Sequence, residues 1–78
     1  MRSVKITLNL AERVKDFVSI VNHYPYEMEL RMGRNVVNAK SILGIFSMDL
    51  SKTLTLRVFS NDCDDLLNEI APFLILET

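Results

Sequence analysis

The stretch from which the rest of the chain can be placed is Asn38-Ala39-Lys40-Ser41-Ile42-Leu43-Gly44-Ile45-Phe46-Ser47-Met48-Asp49-Leu50. A serine ahead of an apolar run is a good helix N-cap, because its hydroxyl accepts a hydrogen bond from a first-turn N–H. Ser41 therefore predicts a helix of about two turns. So short a helix cannot bury all its large apolar side chains, and a cluster left exposed indicates a partner. A glycine inside it costs ~1 kcal/mol, so Gly44 predicts close packing or close approach of a partner.

Upstream of this stretch the pattern predicts a strand and then a helix. Ser3–Leu8 alternates between apolar and polar residues, as a half-buried strand does. Asn9 offers an N-cap, and Glu12 could complete a capping box. Helical spacing predicts an amphipathic helix over residues 10–22, ended by Pro25. Its apolar stripe consists of Leu10, Val14, Phe17, Val18 and Val21.

A hairpin is predicted next. Tyr26–Met32 has the cleanest period-two alternation in the chain, with apolar side chains on one side and charges on the other. Gly33-Arg34 supplies a turn, and Asn35–Asn38 returns as a second strand.

Downstream, residues 53–59 alternate again and are rich in strand-forming residues. A capping cluster at residues 60–62 precedes a last helix whose apolar stripe is Leu66, Leu67 and Ile70. Pro72 interrupts that helix, because an interior proline removes a backbone hydrogen bond. Residues 73–76 are too apolar for a free tail and should pack back on the domain, either as a kinked helical turn or as extended chain.

These elements follow the order β-α-β-β-α-β-α. Strands with one apolar face and helices with one apolar stripe require two layers. The pattern therefore predicts an α+β fold in which a four-stranded antiparallel sheet carries its helices on one face. We expect a single domain over residues 1–78.

Composition excludes several functions. The net charge of −1 offers no electrostatic footprint for nucleic acid. No apolar run reaches the ~18 residues of a membrane span, and no signal peptide is evident, so we expect a cytoplasmic protein that does not bind membranes. Cys63 is the only cysteine and should be a packed thiol. No metal-ligand spacing, phosphate loop or nucleophile–base pair is present, so we expect no metal, no cofactor and no enzyme activity. The acidic cluster of Asp62, Asp64 and Asp65 is better explained by the helix dipole.

The Lys40-Ser41-Ile42-Leu43-Gly44 run, in this position within this order of elements, resembles the regulatory-serine segment of HPr. HPr is the small phosphocarrier protein of the bacterial sugar phosphotransferase system. The resemblance implies an HPr-like open-faced β-sandwich with strand order 1-4-2-3. At residue level it extends from the Gly33 hairpin to about Leu50, and elsewhere it is a likeness of element order.

The chain departs from HPr where HPr does its chemistry. HPr proteins carry a Gly-hydrophobic-His-Ala/Thr-Arg-Pro-Ala motif before the first helix, and its histidine accepts the phosphoryl group. Setting Ser41 on the regulatory serine and counting back places Leu10 on that histidine, Glu12 on the arginine and Arg13 on the proline. Glu12 would also repel a phosphoryl group. His23 is the only histidine and lies roughly 20 Å further along the helix at 1.5 Å per residue. There it serves more simply as a C-terminal charge or cap.

The resemblance implies a regulatory protein similar to the catabolite-repression homologues of HPr, which lack the histidine and keep the serine. Ser41 would be phosphorylated by HPr kinase/phosphorylase, or it is a helix cap only. Lys40 could partly neutralise the phosphate. Ile42, Leu43 and Phe46 match an exposed docking patch of HPr, to which Ile20 should add, unless all four belong to the core.

Partners would be proteins: the kinase/phosphorylase and a transcription regulator of carbon catabolite control. Two alternatives remain, a phosphocarrier that uses a different acceptor residue and an interaction domain unrelated to sugar transport. Exposed strand edges allow a monomer or a weak homodimer.

Overall fold

The structure, a computed structural model, describes residues 1–75. Within them the predicted order of elements is confirmed. The strands are β1 (Arg2–Ile6), β2 (Met28–Met32), β3 (Asn35–Asn38) and β4 (Leu54–Val58), and the helices are α1 (Ala11–Val21), α2 (Ile42–Phe46) and α3 (Asp64–Glu69), followed by a 3-10 turn (Ala71–Phe73). The strands form one antiparallel sheet in the order β1-β4-β2-β3, so the strand order implied by the resemblance is also confirmed.

The core lies between the inner face of the sheet and the helices. Alternate residues of β4, beginning with Leu54, are fully buried, and those between them are only half-buried. Leu30 of β2 and Phe17 of α1 are fully buried in the same apolar cluster. One face of the sheet therefore holds the helices, while Thr55 and its neighbours lie on the other, outer face.

Helix α1 is shorter than its apolar pattern predicts. Val14, Phe17 and Val21 are buried as expected. Leu10, which the pattern places on the buried stripe, is the N-cap residue and is 60% exposed. The predicted cap at Asn9 is also wrong, since α1 starts two residues later and has no side-chain cap. Leu10 escapes burial because extended backbone at the N-cap turns it away from the helical stripe.

The hairpin follows the prediction closely. Met28 and Leu30 are buried, and Tyr26 and Met32 pack against the core at half burial. Gly33 has φ +61° in the turn, a left-handed conformation that glycine adopts without steric cost.

The C-terminal part combines both expected conformations. Helix α3 starts after Cys63, which is buried, and it has no side-chain cap, so the capping cluster predicted at residues 60–62 is wrong. Pro72 lies in the 3-10 turn, and the chain then extends, so that Leu74 pairs with Ile6 of β1. The Thr7 and Ile75 N–H groups complete this pairing by donating to Phe73 and Lys5 carbonyls. Leu76 lies outside the described residues.

Across residues 1–75, no helix is both long enough and apolar enough to span a membrane.

Candidate functional site

Ser41 caps helix α2 through its side chain. Its backbone is extended, and the Gly44 N–H donates to its Oγ at 3.1 Å. The predicted cap is therefore confirmed. The residue is half-buried, and it stands at the end of the helix where added negative charge is favourable.

Gly44 is explained by packing within the domain. A Cβ at this position would lie 3.2 Å from Ser41 Oγ and 3.3 Å from Val37 Cβ. Both distances are shorter than ordinary van der Waals contact. The glycine therefore lets α2 close onto its own cap and onto β3, and of the two explanations offered by the sequence, close packing is the one observed.

The apolar side chains of α2 divide between core and surface. Ile45 is fully buried, and so, beyond the helix, is most of Met48. Leu43 is 81% exposed and Phe46 is 42% exposed, while Ile42 is half-buried against the core. The expected partial exposure is observed, and Ile42, Leu43 and Phe46 are called the α2 patch below.

Lys40 joins the segment before α2 to the loop between α1 and β2. Its Nζ donates to the Tyr24 carbonyl at 2.6 Å, and its backbone N–H donates to Asn38 Oδ1 at 2.9 Å. Its ammonium is thus bound to the loop between α1 and β2, whereas the sequence suggested that it could partly neutralise a phosphate on Ser41. The hydrogen bond from Lys40 to Tyr24 therefore ties the start of α2 to the loop that follows α1.

The structure does not bring Ile20 to the α2 patch. Ile20 lines a shallow depression together with Pro72 and Phe73. Asn22, the C-cap residue of α1, does reach the segment before α2, because its Nδ2 donates to the Lys40 carbonyl at 3.4 Å. Helix residues two apart differ in direction by about 160°, so Ile20 lies on the other side of α1.

The start of α1 carries no histidine side chain. Leu10 stands at the N-cap, and Glu12 is the acidic residue of the first turn. His23, the only histidine of the sequence, is exposed and follows the C-cap residue Asn22 at the opposite end of the helix.

Arg13 has a structural role that sequence reasoning missed. Its Nη2 donates to the Pro72 carbonyl at 3.1 Å and to the Thr7 carbonyl at 3.4 Å. The guanidinium also lies 4.7 Å from the centre of the Phe73 ring. It therefore fastens the C-terminal turn to the loop between β1 and α1. Nothing in the sequence signals this, because Pro72 is 59 positions away.

Two tyrosines attach the loop between α1 and β2 to helix α3. Tyr26 OH donates to the Asp65 carboxylate at 3.1 Å, and its ring stacks on Tyr24 with centres 6.0 Å apart. A hydrogen bond with Glu69 is the main cause that raises the pKa of Tyr24 to about 12. Desolvation, followed by the bond to Asp65, raises the pKa of Tyr26.

The acidic cluster is used structurally. Asp64 and Asp65 lie in the first turn of α3, as the dipole argument predicts, and Asp64 pairs with Arg2 at 3.3 Å. Within residues 1–75, no three histidine, cysteine or acidic side chains are grouped as metal ligands.

Comparisons with known proteins agree on the fold. No protein-family model and no curated sequence matches the chain. Among solved structures it is similar to HPr-C-His of Thermoanaerobacter tengcongensis, with TM-score 0.77 and 23% identity over 92% of this chain and 89% of that one. It is similar to the phosphocarrier protein HPr of Bacillus anthracis str. Ames, with TM-score 0.70 and 25% identity over 95% and 94%.

A third similar structure is that of Crh, the catabolite repression containing protein of Bacillus subtilis. Its TM-score is 0.67, with 26% identity over 92% of this chain and 88% of that one. That protein was solved as a dimer with a swapped domain. The three likenesses cover nearly the whole of each chain, so they concern the complete fold rather than one shared motif.

Proposed function

We propose that this chain, which has the HPr-family fold, is a regulatory binding protein related to the sugar phosphotransferase system and is not a phosphohistidine carrier. One observation carries the proposal. The start of α1 presents an exposed Leu10 where HPr presents its histidine, and His23 stands at the far end of the helix. A phosphoryl group at the α1 start would also meet the Glu12 carboxylate, which opposes the attraction of the helix dipole.

Ser41 is the proposed control point. Its Oγ already lies against the first-turn N–H of Gly44. A phosphate there would add a charge of roughly −1.5 to −2 without opposing the dipole, so α2 would not melt. Lys40 is bound to the Tyr24 carbonyl. A cation of the partner would therefore bind the phosphate, through charge-assisted hydrogen bonds. The proposed modifying enzyme is a serine kinase/phosphorylase of the HPr type.

The α2 patch is the proposed docking surface. Leu43 is the most exposed of the large apolar side chains in the described chain, and it lies two residues from Ser41. The proposed partner is a transcription regulator of carbon catabolite control, in line with the likeness to Crh. Ile20 and Lys40 were predicted to bind partners as well. Ile20 faces away from α2 and Lys40 is held by the Tyr24 carbonyl, so the patch is the part that the geometry supports.

Cytoplasmic location and a monomer or weak homodimer complete the proposal. The swapped dimer of Crh is a precedent for self-association on this fold.

Two phosphorylation assays run side by side test the proposal, with a histidine-bearing HPr as the positive control. Purified HPr kinase/phosphorylase with ATP should label the chain, and mass spectrometry should place the phosphate on Ser41. Ser41→Ala should abolish the label, while Ser47→Ala, in the same helix region, should keep it. Enzyme I with phosphoenolpyruvate should leave the chain unlabelled.

Each other outcome selects an alternative. Labelling by Enzyme I would identify a phosphocarrier with a different acceptor. No labelling by either enzyme, while HPr is labelled by both, would leave Ser41 as a helix cap and favour an interaction domain unrelated to sugar transport.

A further inference from the structure

The two edges of the sheet are finished differently. Strand β1 forms one edge, and the C-terminal segment pairs with its end, where Leu74 bridges Ile6. Strand β3 forms the other edge, and within residues 1–75 no strand pairs with its free side. Proteins protect exposed edges with lysine, proline, bulges, covering elements or short strands. The sequence of β3, Asn-Val-Val-Asn, contains no lysine and no proline. Its shortness is the one such protection that its sequence provides, so the edge is open to a further strand.

The geometry of the hairpin decides which backbone groups of β3 point to this edge. The turn consists of Gly33, with φ +61°, and Arg34. In a two-residue hairpin the residues that flank the turn, here Met32 and Asn35, form a hydrogen-bonded pair, and the next pair is not hydrogen-bonded. Val36 belongs to that next pair, so its N–H and C=O point away from β2. No loop, turn or cap hydrogen bond of the described chain reaches either group.

Asn38 is the next residue of β3 that faces the edge, and its acceptors are already in use. Its C=O accepts a hydrogen bond from the Ser41 N–H at 3.0 Å, and its Oδ1 accepts one from the Lys40 N–H at 2.9 Å. The free groups of the edge are therefore the N–H and C=O of Val36 and the N–H of Asn38. An incoming strand finds a free donor and a free acceptor together only at Val36.

We propose that β3 pairs antiparallel with β3 of a second copy of this chain, with the Val36 residues of the two copies directly opposite each other. This specifies, and rests on, the weak homodimer of the proposed function. Each Val36 then donates its N–H to the other's carbonyl, so both free groups are satisfied in both copies. A shift by two residues would instead aim the Val36 N–H at the Asn38 carbonyl, which already accepts the Ser41 N–H. The backbone therefore favours the symmetric register, which is that of a two-fold dimer.

Side chains and charges are compatible with this register. Val36 is 45% exposed, and the two copies would form a β-branched cross-strand pair, which stabilises a sheet. Arg34 of each copy lies opposite the neutral Asn38 of the other. The two Arg34 residues are about 14 Å apart at ~3.4 Å per residue, beyond the distance over which salt screens exposed charges. So short a ladder buries less than the roughly 1,200 Å² of a stable interface, so the dimer should dissociate on dilution.

The test follows self-association of the full chain, labelled with nitrogen-15, from dilute solution to about 1 mM. Translational diffusion should slow as the concentration rises, and amide signals of residues 34–38 should shift. Hydrogen exchange should slow at the N–H groups of Val36 and Asn38, because both become donors in the new ladder. A chain that stays monomeric up to about 1 mM overturns the inference.

Charge variants test the register. Val36→Lys and Val36→Glu each place like charges face to face at the two-fold axis, so each alone should associate several-fold more weakly. An equimolar mixture of the two should recover association, because unlike charges then meet. Val36→Thr, the matched control, keeps the β-branched shape and should associate as the unmodified chain does. Urea unfolding should remain cooperative in all three, since Val36 lies on the outer face of the sheet.

Several outcomes would overturn the inference. These are charge variants that associate alone as well as the unmodified chain, a mixture that gains nothing over either variant, and concentration-dependent shifts on β1 or α2 instead of β3. A dimer that persists on dilution, as one formed by exchange of an element would, also overturns it. Position 36 lies outside Ser41 and the α2 patch. The phosphorylation assays with HPr kinase/phosphorylase and Enzyme I therefore decide the proposed function separately.

Discussion

The first two helices of this protein start in opposite ways. Helix α1 starts at Leu10, an exposed apolar residue that makes no cap, with an acidic side chain in its first turn. Helix α2 starts at Ser41, whose Oγ accepts the Gly44 N–H at 3.1 Å. Both starts present backbone N–H groups and the positive end of a dipole. Backbone geometry alone therefore does not make a phosphate site, and the side chains at the start decide which chemistry each can support.

The comparison also separates stability from function. At the α1 start, Arg13 stabilises the domain by joining the C-terminal turn to the first loop, and the N-cap residue is the apolar Leu10. At the α2 start, one serine both caps the helix and offers a hydroxyl, beside an exposed apolar patch. The α2 start is thus the place where a change could alter binding without unfolding the chain.

The largest effect is expected within α2, between Ile45 and Leu43. Ile45→Ala should lower the free energy of unfolding by about 2–5 kcal/mol, because the side chain is fully buried. Leu43→Ala should lower it by less than ~0.5 kcal/mol, because Leu43 is exposed. Urea unfolding measures both. Leu43→Asp should also unfold cooperatively while losing partner binding, and a non-cooperative transition there would show that Leu43 is core.

The next largest effect is the loss of stability when the Ser41 cap of α2 is removed. Ser41→Ala should cost about 1 kcal/mol, because the Gly44 N–H loses its acceptor. Ser47→Ala is the matched control, since Ser47 Oγ donates to a helix-end carbonyl and is exposed; it should cost less. Thermal unfolding monitored by circular dichroism measures the difference. Equal costs for the two variants would contradict the special role of the α2 start.

An increase in stability of similar size to that loss is expected when a cap is added to α1. Leu10 already has the extended backbone of an N-cap residue, so Leu10→Asn should stabilise the protein by roughly 0.5–1 kcal/mol. Asn9→Ala should be nearly neutral, because α1 does not start at Asn9. A loss for Asn9→Ala as large as that for Ser41→Ala would show that Asn9 caps α1 after all.

The smallest effect is on the pH dependence of stability, where Tyr24 meets Glu69 at the end of α3. Tyr24 has its pKa raised from 10.0 to about 12, so the folded state holds the phenol proton more tightly than the unfolded state does. The stabilisation is complete below pH 10 and is lost as the pH rises towards 12. Tyrosinate absorbance should show both tyrosines titrating above the ordinary value, and Glu69→Gln should shift the Tyr24 titration downwards. A titration at the ordinary pKa would refute the contact.

Periodicity was enough to predict the elements and their order. The alternation around Leu30 and Leu56 and the stripe around Phe17 place the same residues in the core that the structure buries. Local patterns predicted the Ser41 cap of α2 but failed at the starts of α1 and α3, where Asn9 and the cluster at residues 60–62 were expected to cap and do not. Capping depends on where tertiary packing starts the helix, and packing starts α1 at Ala11 and α3 at Asp64.

The candidate site could be predicted only in part from the sequence. Ser41 as a cap and the exposure of Leu43 follow from a short helix with too many apolar residues for one face. The sequence could not predict that Ile20 faces away from α2 or that Lys40 is bound to the Tyr24 carbonyl. Both depend on how α1 lies against its neighbours.

By itself the sequence determined the two-layer α+β fold, the hairpin at Gly33, the break at Pro72 and the lack of a histidine at the α1 start. These are properties of residue type and spacing, which act locally. Tertiary structure alone decided the contacts between distant positions, such as Arg13 with Pro72 and Leu74 with Ile6. Such contacts depend on strand register and helix orientation, which only the assembled core sets.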